Sequence, residues 1–130
     1  SRGLGDVYKR QQLMGNSSEQ NPEDVQAEFN EYLLDDEIVE KSYILLRDLF
    51  VFTNKRILVI DKQGFSGKKI EFITIPYKNI RAFSVENAGT FDVEAELKLY
   101  VAGMPAPLLK TFDKNTDIKG LQQTISKHLL

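Results

Sequence analysis

Residues 47–69, RDLFVFTNKRILVIDKQGFSGKK, place two short apolar runs on either side of Asn54-Lys55. Residues 49–53 and 56–61 are strand-length and rich in Phe, Val, Leu and Ile. Asn tolerates a positive φ, so a tight hairpin turn is expected between them. Gly64 and Gly67 then mark the next reversal, inside a basic turn. A chain with this hairpin at its centre is committed to a β-rich fold. The stretch also offers a binding surface, but no catalytic centre.

A chain of 130 residues is the size of one domain with a sizeable core. Its 42% hydrophobic content, with eight Phe and five Tyr, excludes disorder across the main body. No run has the length of a transmembrane helix, and no cationic-then-apolar leader is visible. With no cysteine, disulfides and thiolate catalysis are excluded. These features favour a cytoplasmic location, with peripheral attachment to the inner face of the membrane as a further expectation. The net charge of -2 argues against a generally basic nucleic-acid binder. Charge is unevenly spread: residues 1–40 hold ten acids and three bases, and residues 41–130 hold nine acids and fourteen bases. A local anion-binding face is compatible with the second part.

Residues 1–21 lack periodicity and read as a flexible tail or non-native extension, with residues 22–130 as the domain. Asn21-Pro22-Glu23-Asp24 has the chemistry of a helix entrance: a capping Asn, Pro at the first position and two acids in the first turn. Val25, Phe29, Tyr32 and Leu33 give that helix an apolar face, and it should end near Asp35. Strands are expected within residues 37–47, at 49–53, 56–61, 68–75 and 80–86, within 92–101, and at 108–112. The clearest alternation is at 92–101, where Val93, Ala95, Leu97, Leu99 and Val101 share one face. A final helix, capped by Asn115 or Thr116, carries Ile118, Leu121, Ile125 and Leu129 on one side.

Three segments carry a family resemblance: LFVFTNKRILVIDKQG at 49–64, GKKIEFITIPYKNIRAFSVENAGTFDVEAELKLYVAG at 67–103, and FDKNTDIKGLQQTISKHLL at 112–130. Together they resemble the bacterial pleckstrin-homology-like (PH-like) domain family, across residues 25–130. The resemblance implies a mainly β fold, a seven-stranded antiparallel β-barrel capped by a C-terminal α-helix. The helix expected after Asn21 would be an N-terminal addition. The resemblance also implies ring-like homo-oligomers. The chain departs from the lipid-binding eukaryotic domains: Arg47 sits beside Asp48 without a basic cluster, and there is no Trp. Inherited phosphoinositide recognition is not implied.

Lys55, Arg56, Lys62, Lys68, Lys69, Lys78 and Arg81 form a basic set, interrupted only by the acids Asp61 and Glu71. Such a set serves a protein partner, an anionic head group or simple solubility. Phe65, at the tip of the turn, either inserts into a partner or folds back on the barrel mouth. Residues 63–67 lack the Gly-Lys-Ser/Thr ending of a nucleotide loop. Asp92, Glu94 and Glu96 share a strand face and form a candidate acidic surface complementary to the basic set of another subunit. No cofactor or metal is expected, because the single histidine, His128, has no ligand companions. No serine has a triad context, so an enzyme is not expected. Phe50, Phe52 and Phe72 lie near bases, but a β core needs the same aromatics, and no nucleic-acid partner is expected. The leading expectation is a noncatalytic protein-interaction and homo-oligomerisation module. The alternative is an adaptor for anionic lipid or a membrane-associated protein.

Overall fold

In a computed structural model, the chain is described over residues 19–45, 48–63, 69–86 and 94–130, without the side chains of Lys62 and Gln63. The element order is β1 (Glu19–Gln20), α1 (Pro22–Glu28), β2 (Val39–Ile44), β3 (Asp48–Thr53), β4 (Arg56–Gln63), β5 (Lys69–Pro76), β6 (Ile80–Glu86), β7 (Ala95–Val101), β8 (Leu108–Phe112) and α2 (Ile118–Leu129). Strand β1 falls within the segment assigned to the extension and pairs with β2.

The strands form two antiparallel sheets, β1-β2-β3-β4-β5 and β6-β7-β8. This corrects the expected seven-stranded barrel. Among the described residues no ladder joins β5 to β6 or closes β8 onto the first sheet. The reason lies at Pro76, which has no N–H to donate, and in the single 3-10 turn Tyr77–Asn79 that follows. The chain leaves one sheet there and enters the other. The space between the sheets is filled by side chains and by α2 rather than closed by hydrogen bonds.

That inner core holds Tyr43, Phe50, Phe52, Ile57, Val59 and Ile75 from the first sheet, and Leu97, Leu99 and Phe112 from the second. Leu121 and Ile125 of α2 plug its open side. Phe112 meets Tyr43 and Phe50 edge-to-face at 5.1 and 5.8 Å, a favoured aromatic geometry. A second core lies on the other face of the first sheet: Ile44, Leu49, Val51, Leu58 and Ile60 pack with Val25 of α1 and with Phe29 at its C-cap. Both faces of the sheet are therefore buried at residues 49–52 and 57–60. This is why 49–52 and 57–60 are continuous apolar runs rather than alternating ones. Burying Val25 and Phe29 supplies about 1.5–3 kcal/mol each, well above what the propensity of a seven-residue helix could contribute.

Local chemistry sets the helix limits. The Asn21 side chain accepts from Glu23 N at 2.9 Å, with Pro22 opening the helix. α1 stops at Glu28 rather than near Asp35, and a 3-10 turn at Asn30–Tyr32 follows. The tighter turn swings Tyr32 out of the expected apolar face, while Leu33 stays packed. The cap of α2 is Asp117, whose Oδ1 accepts from Gly120 N at 3.1 Å, rather than Asn115 or Thr116.

Candidate functional site

The Thr53-Asn54-Lys55-Arg56 turn is tied to the segment before β2. Its two central residues have no positive φ; side-chain hydrogen bonds shape it instead. Thr53 Oγ1 accepts from the amides of Lys55 and Arg56, each at 3.0 Å. Asn54 Oδ1 accepts from Ile38 N at 2.7 Å, and Asn54 Nδ2 donates to Asp36 O at 3.1 Å. The Lys55 ammonium lies 3.1 Å from Asp36, and this hydrogen bond holds the Asp36 carboxyl below its usual value.

Arg56 is committed inward. Its guanidinium donates to Glu37, to Thr74 Oγ1 at 2.8 Å and to the Tyr32 carbonyl at 3.1 Å. The Glu37 side chain has no exposed surface and that of Arg56 is 18% exposed. Glu37 also accepts from Thr53 Oγ1 at 2.7 Å and Leu34 N at 3.0 Å. Burial opposes its ionisation, but Arg56, Thr53 and the Leu34 amide together keep its carboxyl below the usual range. Of the basic set, Arg56 therefore serves the fold. Sequence reasoning missed Glu37 as its partner, since nothing marks one acid among ten as buried.

The remaining bases divide. Arg56 pairs in register with Pro76, and Tyr77 Oη donates to Thr53 O at 2.6 Å, so Lys55, Lys78 and Arg81 share one end of the molecule. Lys69 pairs with Gln63 at the other end of the β4–β5 ladder, roughly 20 Å away at strand spacing. Lys62 lies beside Ile70 in that ladder; its side chain, Phe65 and Lys68 lie outside the described residues. Lys78 and Arg81 are exposed and make no ion pair with a described residue.

On the acidic side, Asp92 lies outside the described residues, Glu94 is exposed just before β7, and Glu96 sits in β7. Glu96 stands directly across from Glu86 of β6. Like charges so placed are destabilising. Lys98 is two pairs further on, opposite Ser84, and no described cation reaches within 4.0 Å of either carboxylate. The two-stranded unit β6–β7 is therefore polar along its length. Arg81 stands at one end and Glu86 at the other, roughly 16 Å apart at strand spacing.

Comparison with known proteins decides the family. A profile for the Bacterial PH domain matches residues 9–129. The chain belongs to the bacterial PH domain family. It is 46% identical to the Bacillus subtilis protein YjqA over 88% of the chain and 92% of that protein. It is also 38% identical to YozO of the same organism, over 75% of the chain and 82% of that protein. A crystal structure of a protein with a pleckstrin-homology domain from Shewanella loihica superposes with a TM-score of 0.81 at 46% identity, over 89% of this chain and 99% of that one. A pleckstrin homology domain from Shewanella amazonensis gives 0.72 at 47% identity, over 84% and 98%.

Domains of this family are generally noncatalytic, and the fold often mediates protein or lipid interactions. Among the described residues no group of three or more His, Cys, Asp or Glu is placed to hold a metal. No described helix is long and apolar enough to cross a membrane.

Proposed function

We propose that this bacterial PH domain is a noncatalytic interaction module that self-associates head to tail. One observation carries the reading. The exposed cations Lys78 and Arg81 stand at one end of the β6–β7 unit, and the opposed carboxylates Glu86 and Glu96, with Glu94, stand at the other. A cation supplied by a neighbouring copy would relieve the Glu86–Glu96 repulsion. Because the two ends differ, the contact is heterologous, and such contacts repeat into a ring when the rotation closes. Salt screening should weaken the charge component of assembly.

Sedimentation velocity at several protein and salt concentrations tests this. Arg81→Glu with Lys78→Glu should lower the assembled mass, and so should Glu86→Lys with Glu96→Lys. Mixing the two charge-reversed chains should restore mixed assemblies. A wild-type chain that stays monomeric at every concentration overturns the reading.

The same cations support the second reading, an adaptor for an anionic surface, because no described carboxylate neutralises Lys78 or Arg81. Co-sedimentation with anionic and neutral vesicles separates the two readings. Equal partition at low salt removes the second.

A further inference from the structure

Strand β5 ends the first sheet, and among the described residues no strand pairs with its outer edge. An open edge with accessible apolar side chains is a template for a further strand. Ile73 and Ile75 turn into the inner core, while Ile70 and Phe72 point to the other face. That face is continuous with the second core, since Phe72 stands opposite the buried Ile60. α1 covers the sheet over β2–β4 but leaves this part of β5 open. Ile70 is 46% exposed and Phe72 37%.

Tyr32 extends the opening. Its ring stacks on Phe72 at a centroid distance of 4.6 Å, yet it remains 52% exposed. Leu34, two residues on, is 59% exposed. The stretch that carries Tyr32 and Leu34 gives this side an acidic rim: residues 28–36 contain four acids and no base. Of these, Glu28, Glu31 and Asp35 make no ion pair with a described residue. Glu31 adjoins Tyr32, and Asp35 adjoins Leu34. Such a rim disfavours an anionic membrane and attracts a cationic partner.

We propose that the open edge of β5 and the Tyr32–Phe72 stack form a docking site for an extended, basic segment of a partner protein, which adds as a strand beside β5. Main-chain hydrogen bonds to the β5 edge supply affinity, and alternate side chains supply selectivity. Apolar residues on one face of the added strand cover Ile70 and Phe72. Lysine or arginine beside them meets Glu31 and Asp35. The site uses the outer face of the first sheet, whereas the acidic end proposed for self-association lies on the second.

Panning a phage-displayed library of random linear peptides against the full chain tests the site. Enriched peptides should alternate apolar residues with Lys or Arg. Their affinity, read by fluorescence anisotropy, should fall about tenfold or more in Phe72→Ser. It should also fall in Glu31→Lys with Asp35→Lys. Tyr32→Ser is the second variant, since an exposed ring can be removed without disturbing the core; it carries the test if Phe72→Ser unfolds. The proposal fails if nothing is enriched, or if the peptides bind both aromatic variants as well as wild type. It also fails if both variants lower the assembled mass without affecting peptide binding, because a second copy then owns the surface.

Discussion

Arg56 grips Glu37 with two nitrogens, Nε to Oε2 at 2.8 Å and Nη2 to Oε1 at 2.9 Å. The pair joins the β3–β4 turn to the segment that leads into β2. A buried pair is costly to break one-sidedly, since the remaining charge keeps its desolvation penalty. Arg56→Met should therefore destabilise the domain by about 3–5 kcal/mol in urea denaturation. Adding Glu37→Leu should recover much of that loss. A double variant no more stable than Arg56→Met alone would show that the geometry of the pair, and not charge compensation, matters.

The same pair links stability to pH. The folded-state value of Glu37 is depressed, so its contribution is fully present above the ordinary value of 4.5. It is lost as pH falls on through the lower folded-state value. Wild type should therefore lose stability on acidification below about pH 4.5, and the double variant Arg56→Met with Glu37→Leu should lose less. Urea midpoints measured across the acid range give the comparison. Equal slopes would remove Glu37 from the account.

Two buried tyrosines make a matched contrast. Burial raises the hydroxyl pKa of both. Tyr77 Oη donates to Thr53 O, whereas Tyr43 Oη has no hydrogen-bond partner among the described residues. Tyr77→Phe should cost about 1 kcal/mol and leave a buried carbonyl short of its donor. Tyr43→Phe should be neutral or stabilising, because it removes a desolvated hydroxyl. Thermal melts of the two variants should move in different directions or by clearly different amounts.

Much of the architecture was legible in the sequence where local chemistry decides it. The runs on either side of Asn54-Lys55, the alternation at Ala95, Leu97 and Leu99, and the Asn21-Pro22 helix entrance each need only neighbouring residues. Sheet closure was not legible, because it depends on where β6 goes after the Pro76 turn, and strand pattern does not encode that. The basic set read as one surface because its members are close in sequence. An eight-residue ladder carries Lys69 away from Lys55, and a buried carboxylate claims Arg56. The Tyr32–Phe72 stack was hidden for a related reason: only the early end of α1 moves Tyr32 off the core face.

Lys110 of β8 reaches across the inner space to Asp48 of β3, so one ion pair spans the two sheets. Asp48 stands directly opposite Asp61, and the ammonium offsets the repulsion between these carboxylates. Since the sheets share no ladder among the described residues, this contact is a polar tie across the inner core. Lys110→Met keeps the aliphatic stem but removes the charge, so its effect reports electrostatics rather than lost packing. It should cost about 1–3 kcal/mol, and Asp48→Asn should lose part of its own effect in the Lys110→Met background. A double-mutant cycle from urea denaturation yields the coupling. A coupling near zero would mean that apolar packing and α2 alone hold the sheets together.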